Sequence, residues 1–227
     1  MPSRTMDLTP ELVARVHRVE PDEGPPANVV LLTDEDYVAI AADLLSGFGN
    51  APLRVFAYGS LIWKPEFEHV AHGRATLHGW HRSFCLRMDR WRGTRSQPGL
   101  MMALDRGGSC NGIVYTLPPM DQQAQVMKLL RREVSYKPFN NMPILVDVDC
   151  GGQRLPCITF TVRKESPYRM AGLPLEEVAH ILARAAGHVG SGAEYLYNTV
   201  HHLNQFGITD RNLWTLQKLV AEEIRRL

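Results

Sequence analysis

The order of hydrophobic patterns along this chain limits its fold more than any other feature of the sequence. Short apolar or alternating runs, separated by glycine and proline, fill residues 53–162 and are typical of strands. In residues 175–227 apolar side chains recur at helical spacing in three successive segments. A doubly wound α/β sheet would alternate strands and helices throughout, so this order predicts an α+β fold.

The middle of the chain predicts a hairpin followed by a helix. Residues 100–104 and 112–117 have the composition of strands, and the glycine-containing segment 105–109 between them predicts the hairpin loop. Good helix formers fill residues 122–132, shortly after Pro118 and Pro119, and predict a helix. Glu133 would then lie at the end of this helix.

A second hairpin is predicted where residues 144–150 and 156–162 flank two consecutive glycines. Cys150 and Cys157 could face each other across this hairpin. The four cysteines of the chain form no CxxC pair and are too sparse for a disulfide scaffold. We therefore expect buried, reduced thiols and a cytoplasmic protein, with a redox role for this pair as the more distant alternative.

The first 52 residues differ from the rest in composition. Residues 1–32 contain five prolines and predict an extended arm with a short helix near 11–18. The run Thr33–Asp36 offers a capping side chain followed by acidic residues, which suit the positive end of a helix dipole. We predict an N-terminal arm with one helix at residues 1–52 and a globular domain at residues 53–227.

The charge balance argues against several kinds of partner. Lys and Arg number 25 and Asp and Glu 24, which gives a formal net charge of +1 at pH 7, whereas a nucleic-acid-binding domain is usually basic. No apolar run approaches the ~20 residues that cross a bilayer, and the first ten residues lack the apolar stretch of a signal peptide. We expect neither nucleic acid nor a membrane as a partner.

Histidine is the residue type that could suggest a metal site. His69 and His72, and likewise His78 and His81, are spaced by three in a region with strand and turn composition. That spacing puts strand side chains on opposite faces, and no carboxylate or cysteine accompanies them at metal-ligand spacing. We therefore expect no metal site.

Two local patterns could carry chemistry. The run Tyr58-Gly59-Ser60-Leu61 ends an apolar strand, and glycine there lets a ligand approach backbone amides that can bind an oxygen atom. Glu133 could act as a general base at the end of its helix. Taken alone, the first pattern more often marks an ordinary turn and the second a solvated helix terminus.

Several motifs in the same order resemble the ChaC-type, glutathione-specific γ-glutamylcyclotransferases. They are VFAYGSLIWK at 55–64, WHRSFCL at 80–86, RGT at 92–94, QPG at 97–99, GIVY at 112–115, LRRE at 130–133 and GSGAEYL at 190–196. The resemblance implies a small mixed β-barrel with flanking helices, so that residues 53–227 would be the catalytic domain. It also implies cleavage of glutathione to 5-oxoproline and cysteinylglycine without a cofactor or metal, by a monomer or homodimer.

The resemblance further assigns roles to individual residues. It implies that Glu133 is the catalytic residue and that Tyr195 lies near the pocket. The residues implied to bind the γ-glutamyl group are Val55, Phe56, Ala57, Tyr58, Gly59, Ser60 and Leu61. The chain departs from the family in two places. Residues 134–137 lack the glycines that often follow the catalytic Glu, and the shortest members lack the arm, which could cover the barrel, mediate dimerisation or have little effect.

The implied reaction is intramolecular, because the α-amine of the γ-glutamyl group attacks its own γ-carbonyl. Glu133 would take a proton from this amine and return it to the departing amine. A free Glu titrates near ~4.3, so we expect burial to raise the pKa of Glu133, with Arg131 and Arg132 facing solvent. Backbone N–H groups of residues 58–61 would stabilise the oxyanion.

Other interpretations remain open at this point. One of Arg87, Arg90 and Arg92 could hold the glycine carboxylate of glutathione in a bidentate contact, although arginines in a loop are more often simply exposed. The enzyme could act on other γ-glutamyl amines or dipeptides, since only the leaving-group pocket would differ. A non-catalytic γ-glutamyl-binding module is the alternative from a different class.

Overall fold

The computed structural model describes residues 5–27, 29–137 and 141–227. The helices of these residues are α1 (Pro10–Arg15), α2 (Asp34–Ser46), α3 (Ser60–Trp63), α4 (Gln122–Glu133), α5 (Leu175–Arg184), α6 (Gly192–Gln205) and α7 (Arg211–Arg225). The strands are β1 (Val30–Leu31), β2 (Arg54–Ala57), β3 (Ala71–Met88), β4 (Gly99–Thr116), β5 (Tyr136–Lys137), β6 (Met142–Cys150), β7 (Gln153–Thr161), β8 (Ala186–Gly187) and β9 (Gly190–Ser191).

Five strands close into a barrel in the order β2-β4-β3-β6-β7, with β4 also pairing with β7. Strand β2 is antiparallel to β4, with Val55 opposite Tyr115, and parallel to β7, with Val55 opposite Ile158. The barrel is therefore mixed, and its largest buried side chains include Phe56 and Phe160. The predicted α+β fold with a small mixed barrel and flanking helices is confirmed.

The described residues group into two compact units. One contains α1 and α5–α7 and is drawn from residues 5–27, 84–102 and 167–227. The other contains α2–α4 and is drawn from residues 29–83 and 103–166. The division into an arm at 1–52 and a domain at 53–227 stays a prediction, and residues 1–4 and 28 of that arm lie outside the described residues.

Helix α2 begins as its sequence predicts. The Thr33 hydroxyl accepts a hydrogen bond from the Asp36 N–H at 3.3 Å, and the Asp36 carboxylate accepts one from the Thr33 N–H at 3.0 Å. This reciprocal capping box satisfies two backbone donors that a helix start leaves without partners. The helix ends at Gly47 and packs against α4.

The first predicted hairpin is wrong, because residues 99–116 form the single strand β4. Gly107 and Gly108 adopt positive φ values of 102° and 69°, which only glycine adopts without strain. Strand β4 continues through both glycines without reversing, and the Gly107 carbonyl oxygen lies 3.1 Å from Nδ1 of His81 on β3. The glycines that predicted a turn therefore lie inside a continuous ladder.

The second predicted hairpin is confirmed as β6 and β7. Their register pairs Cys150 with Gln153 across the turn and Val146 with Cys157 further along. Cys150 and Cys157 are therefore not paired across this hairpin, so the possibility raised from the sequence does not hold. The four cysteines are free thiols, and Cys157 is buried whereas Cys150 is half-buried. None of the helices described here is long and apolar enough to span a membrane.

Candidate active site

Glu133 is the last residue of α4, and the chain changes direction immediately after it. Val134 has extended backbone angles, φ −134° and ψ 110°, while its N–H still donates to the Leu130 carbonyl at 2.7 Å. Only 15% of the Glu133 side chain is exposed. Its Oε1 lies 3.0 Å from Nε of Arg132, and its Oε2 accepts a hydrogen bond from Nδ2 of Asn141 at 3.2 Å.

Burial raises the pKa of Glu133 above its ordinary value of 4.5, because loss of solvent penalises the charged carboxylate. The positive charge and hydrogen bond of Arg132 act in the opposite direction, as does the hydrogen bond from Asn141. The nearby charge of Glu66 adds to the upward shift. The net direction agrees with the sequence-based expectation for a carboxyl group that exchanges protons near neutral pH.

The expectation that both neighbouring arginines face solvent is confirmed for Arg131 only. Its side chain is 47% exposed and pairs with Asp34 at 2.8 Å. The expectation is wrong for Arg132, whose side chain is 17% exposed and pairs with Glu133. The physical reason is charge compensation, since a largely buried carboxylate without a partner would be costly to desolvate.

Arg132 also connects α4 to the segment that follows the strand-end turn. Its guanidinium donates a hydrogen bond to the carbonyl oxygen of Lys64 and lies 3.5 Å from a carboxylate oxygen of Glu66. Lys64 directly follows α3, and α3 begins at Ser60 within the turn at residues 58–61. One side chain therefore contacts both the candidate base and the backbone next to the candidate binding turn.

The turn at residues 58–61 is held by its own backbone and by β4. The Ile62 N–H donates to the Gly59 carbonyl at 2.9 Å, and the Tyr115 hydroxyl donates to the Ile62 carbonyl at 3.3 Å. Gly112 lies against the end of β2, where an added Cβ would overlap the Ala57 carbonyl oxygen and come within 2.7 Å of the Phe56 ring. These contacts hold the backbone on both sides of the turn.

The side chains of the residues predicted to bind the γ-glutamyl group differ in exposure to solvent. The side chains of Val55, Phe56 and Ala57 are fully buried, and those of Tyr58 and Leu61 nearly so. Ser60 is half-buried. The first three side chains therefore belong to the hydrophobic core of their compact unit, so a ligand at this strand end would meet backbone atoms and Ser60 more readily than those side chains.

Tyr195 lies in the compact unit that contains α5–α7. Its ring is buried, packs edge-on against Phe84 at 5.8 Å between centroids, and has the Arg92 guanidinium 5.3 Å from its centroid. These contacts are those of a core residue. Its assignment to the substrate pocket stays a prediction.

The three arginines considered for the glycine carboxylate already contact carboxylates of the chain itself. The pairs are Arg87–Asp89 at 2.8 Å, Arg90–Asp22 at 2.7 Å and Arg92–Glu194 at 2.6 Å. Arg92 is buried and also donates to the Ser191 carbonyl at 2.8 Å. A substrate carboxylate would therefore have to displace or join an existing partner at each of them.

The histidine expectation needs one correction. The rings of His69 and His72 lie 5.6 Å apart, and both lie near Tyr115, because His69 precedes β3 instead of belonging to it. Among the described residues, no group of three or more His, Cys, Asp or Glu side chains is placed to hold a metal ion.

Sequence reasoning missed Asn141, Tyr37 and the inward direction of Arg132. Asn141 is separated from Glu133 by seven residues, and no spacing rule relates the two. Tyr37 donates its hydroxyl hydrogen to the Val134 carbonyl at 2.8 Å from 97 residues away. A residue-type pattern along the chain carries no signal for contacts of this kind.

Comparisons with known proteins agree on one family. The model of the family described as ChaC-like protein matches residues 53–223. A protein of Escherichia coli K12 named glutathione-specific gamma-glutamylcyclotransferase is 34% identical over 188 residues, which cover 81% of each chain. An Arabidopsis thaliana protein named gamma-glutamylcyclotransferase 2-3 is 26% identical and covers 76% of this chain and 88% of its own.

A solved structure supports the fold. The crystal structure of a glutathione-specific γ-glutamyl cyclotransferase from yeast superposes with a TM-score of 0.68 at 22% identity. The match covers 77% of this chain and 97% of the yeast chain.

Proposed function

Because the chain belongs to the ChaC-like protein family, whose model matches residues 53–223, we propose that it is a glutathione-specific γ-glutamylcyclotransferase, a lyase that converts glutathione to 5-oxoproline and cysteinylglycine. The observation that carries the proposal is Glu133, a largely buried carboxyl group at a helix end whose pKa is raised by burial. Its connection through Arg132 to the backbone beside the turn at residues 58–61 supports a shared site.

The proposed reaction exchanges one carbon–nitrogen bond for another within one substrate. The α-amine nitrogen of the γ-glutamyl group attacks the γ-carbonyl carbon and forms the lactam, and the bond from that carbon to the cysteinyl nitrogen breaks. Because nucleophile and electrophile belong to one molecule, the protein mainly has to hold the substrate folded. Positioning of this kind supplies ~7–11 kcal/mol in favourable cases.

Glu133 is the proposed proton carrier. The α-amine is protonated at neutral pH and attacks only after losing a proton, which the carboxylate accepts. The resulting carboxylic acid then donates a proton to the departing cysteinyl nitrogen. A carboxyl group with a raised pKa suits both steps better than an ordinary one, since its protonated and charged forms are closer in free energy near neutral pH.

We assign binding of the γ-glutamyl group to Val55, Phe56, Ala57, Tyr58, Gly59, Ser60 and Leu61 and, from the resemblance to the family, to Tyr195. Backbone N–H groups of the turn at residues 58–61 would stabilise the oxyanion of the tetrahedral intermediate, and one such donor is typically worth about 3 kcal/mol. We propose that glutathione is the only small molecule required, with no metal or cofactor. The protein would act in the cytoplasm as a monomer or homodimer.

Replacing Glu133 tests the proposal directly. We expect Glu133→Gln to bind glutathione with little change but to release 5-oxoproline at least 100-fold more slowly, because an amide cannot accept the proton. The measurement is chromatographic quantification of 5-oxoproline with time, alongside glutathione binding by calorimetry. Glu165→Gln, at an exposed position, is the matched control and should behave as the wild type.

The alternatives give different results in the same assay. Turnover of Glu133→Gln within a fewfold of the wild-type rate would remove Glu133 from the mechanism. Faster release of 5-oxoproline from γ-glutamyl dipeptides or amines than from glutathione would favour the broader substrate class. A wild-type protein that binds glutathione and releases no 5-oxoproline would be a binding module.

A further inference from the structure

A segment near the N-terminus is bonded to the chain immediately after Glu133. We call residues 30–37 the strap. Its first two residues form β1, which pairs antiparallel with β5. The Leu32 N–H donates to the Ser135 carbonyl at 3.2 Å, and the Tyr37 hydroxyl donates to the Val134 carbonyl at 2.8 Å. The strap therefore contacts each of the four residues that follow Glu133.

Charged side chains strengthen the same contact on both sides of Glu133. Lys137, which lies after it, places its Nζ 2.6 Å from a carboxylate oxygen of Asp36. Arg131, which lies before it, pairs with Asp34 at 2.8 Å and has its guanidinium 5.4 Å from the centroid of the Tyr37 ring. The strap thus contacts residues on either side of the candidate base along the chain.

Tyr37 is the residue of the strap that contacts the backbone directly after Glu133. Its side chain is buried, and its hydroxyl reaches the carbonyl of the residue directly after Glu133. The N–H of that residue, Val134, donates to Leu130 within α4. Val134 is therefore held at both ends, by the helix through its N–H and by Tyr37 through its C=O, at the place where the chain leaves the helix.

This fixation comes from outside the part of the chain that the family model matches, which begins at residue 53. Residues 134–137 contain no glycine, so the segment after Glu133 follows an ordinary extended path into β5. The strap supplies hydrogen-bond partners for the backbone of residues 134–137. A side chain at a helix end points where the last turn of backbone directs it, so holding Val134 also fixes the direction of the Glu133 side chain.

We propose that Tyr37 is a positioning residue, whose hydroxyl fixes the Val134 carbonyl and so orients Glu133 for proton transfer. The inference rests on the proposed function. It assigns to the strap an effect on the rate of turnover and not on the binding of glutathione, because Tyr37 contacts the backbone beside the base. Misplacement of a catalytic group by ~1 Å can lower a rate by about 100-fold.

Tyr37→Phe is the sharpest test, because it removes one oxygen atom and keeps the ring. We expect kcat for 5-oxoproline release to fall about 10-fold while KM stays within about twofold of the wild-type value. Amide hydrogen exchange in the peptide covering residues 133–137 should become faster, and exchange in α7 should not change. Tyr197→Phe, half-buried on α6 and stacked on His201, is the matched control and should alter none of these values.

A second variant tests the strap through its backbone. Leu32→Pro removes the N–H that donates to Ser135 and leaves Tyr37 in place, and we expect the same fall in kcat with unchanged KM. Wild-type kcat and unchanged exchange at 133–137 in both variants would overturn the inference. A fall in kcat together with a rise in KM and a loss of exchange protection across the whole chain would also overturn it, because these changes would indicate a purely structural role.

The controls separate this inference from the proposed function. An active wild type with an inactive Glu133→Gln and a fully active Tyr37→Phe would overturn the inference alone. A wild type that releases no 5-oxoproline would overturn the proposed function, and the catalytic role of Tyr37 with it.

Discussion

Burial and the neighbouring Arg132 shift the pKa of the Glu133 carboxyl group in opposite directions. Loss of solvent raises its pKa, and the guanidinium of Arg132 at 3.0 Å lowers it. The first influence is the larger. Burial therefore favours the acid form of Glu133 and Arg132 favours the carboxylate form, and a proton carrier uses both forms.

Removing the charge of Arg132 should shift the pH dependence of the reaction. In Arg132→Gln the upward effect of burial on the pKa of Glu133 is less opposed, so the carboxylate forms only at higher pH. We expect the acidic limb of the kcat/KM profile to move to higher pH and the rate at neutral pH to fall. The profile is measured as 5-oxoproline release in buffers of constant ionic strength.

Arg131→Gln is the matched control for this prediction. Arg131 is exposed and pairs with Asp34, and its charge is not among the causes of the raised pKa of Glu133. The acidic limb of the kcat/KM profile of Arg131→Gln should coincide with that of the wild type. An acidic limb that moves equally in both variants, or in neither, would contradict the role assigned to Arg132.

At the scale of secondary-structure elements, the contact between β2 and β4 depends on a position without a side chain. We expect Gly112→Ala to destabilise the protein by about 1–3 kcal/mol, the usual cost of overpacking, because the new Cβ would overlap the Ala57 carbonyl oxygen and the Phe56 ring. Turnover should fall too, since the turn at residues 58–61 directly follows β2. Urea unfolding and the 5-oxoproline assay measure the two effects.

Gly73→Ala provides the comparison for that substitution. Gly73 lies in β3, and the nearest atom to an added Cβ is Sγ of Cys150 at 4.0 Å, an ordinary contact distance. Its free energy of unfolding should stay within about 0.5 kcal/mol of wild type. Equal losses in the two variants would mean that the close approach at Gly112 is not the cause.

Elements were predictable from sequence where local chemistry determines them. Thr33 caps α2, as the run Thr33–Asp36 predicts. Strand β4 differs from the predicted hairpin because glycines with positive φ occur both in hairpin turns and within a continuous strand. β1 and β5 were missed because strands of two residues have no periodicity.

The residues of the candidate site divide in the same way, into those that a local motif predicts and those that only tertiary packing brings together. Motifs in the sequence point to Glu133 and to the turn at residues 58–61. No motif points to the direction of Arg132 or to the contact of Asn141 with Glu133, because they depend on tertiary packing that no spacing rule encodes.

At the scale of the whole molecule, the two ends of the chain are joined through one buried amide. Gln217 of α7 accepts a hydrogen bond from the Leu8 N–H at 2.8 Å, across 209 residues of sequence, and its Nε2 donates to the Trp214 carbonyl at 3.1 Å. Leu8 and Gln217 are both buried. The buried Leu8 N–H thus has its hydrogen-bond acceptor on a side chain from the other end of the chain.

Gln217→Leu should lower the free energy of unfolding by about 1–3 kcal/mol, because it leaves the buried Leu8 N–H without its acceptor. The urea midpoint, measured with an unchanged m-value, reports this loss. Gln205→Leu, at an exposed position on α6, should have little effect. A midpoint for Gln217→Leu equal to that of the wild type would show that water replaces the lost partner.

The hydrogen bond between Tyr37 and Val134 also has a consequence for biosynthesis. The strap leaves the ribosome 97 residues before the carbonyl that Tyr37 binds. At ~5–20 residues per second, this corresponds to a delay of roughly 5–20 s during translation. Through that interval the nascent chain carries β1 without its partner strand, so the surroundings of Glu133 are completed only after most of the barrel strands have been synthesised.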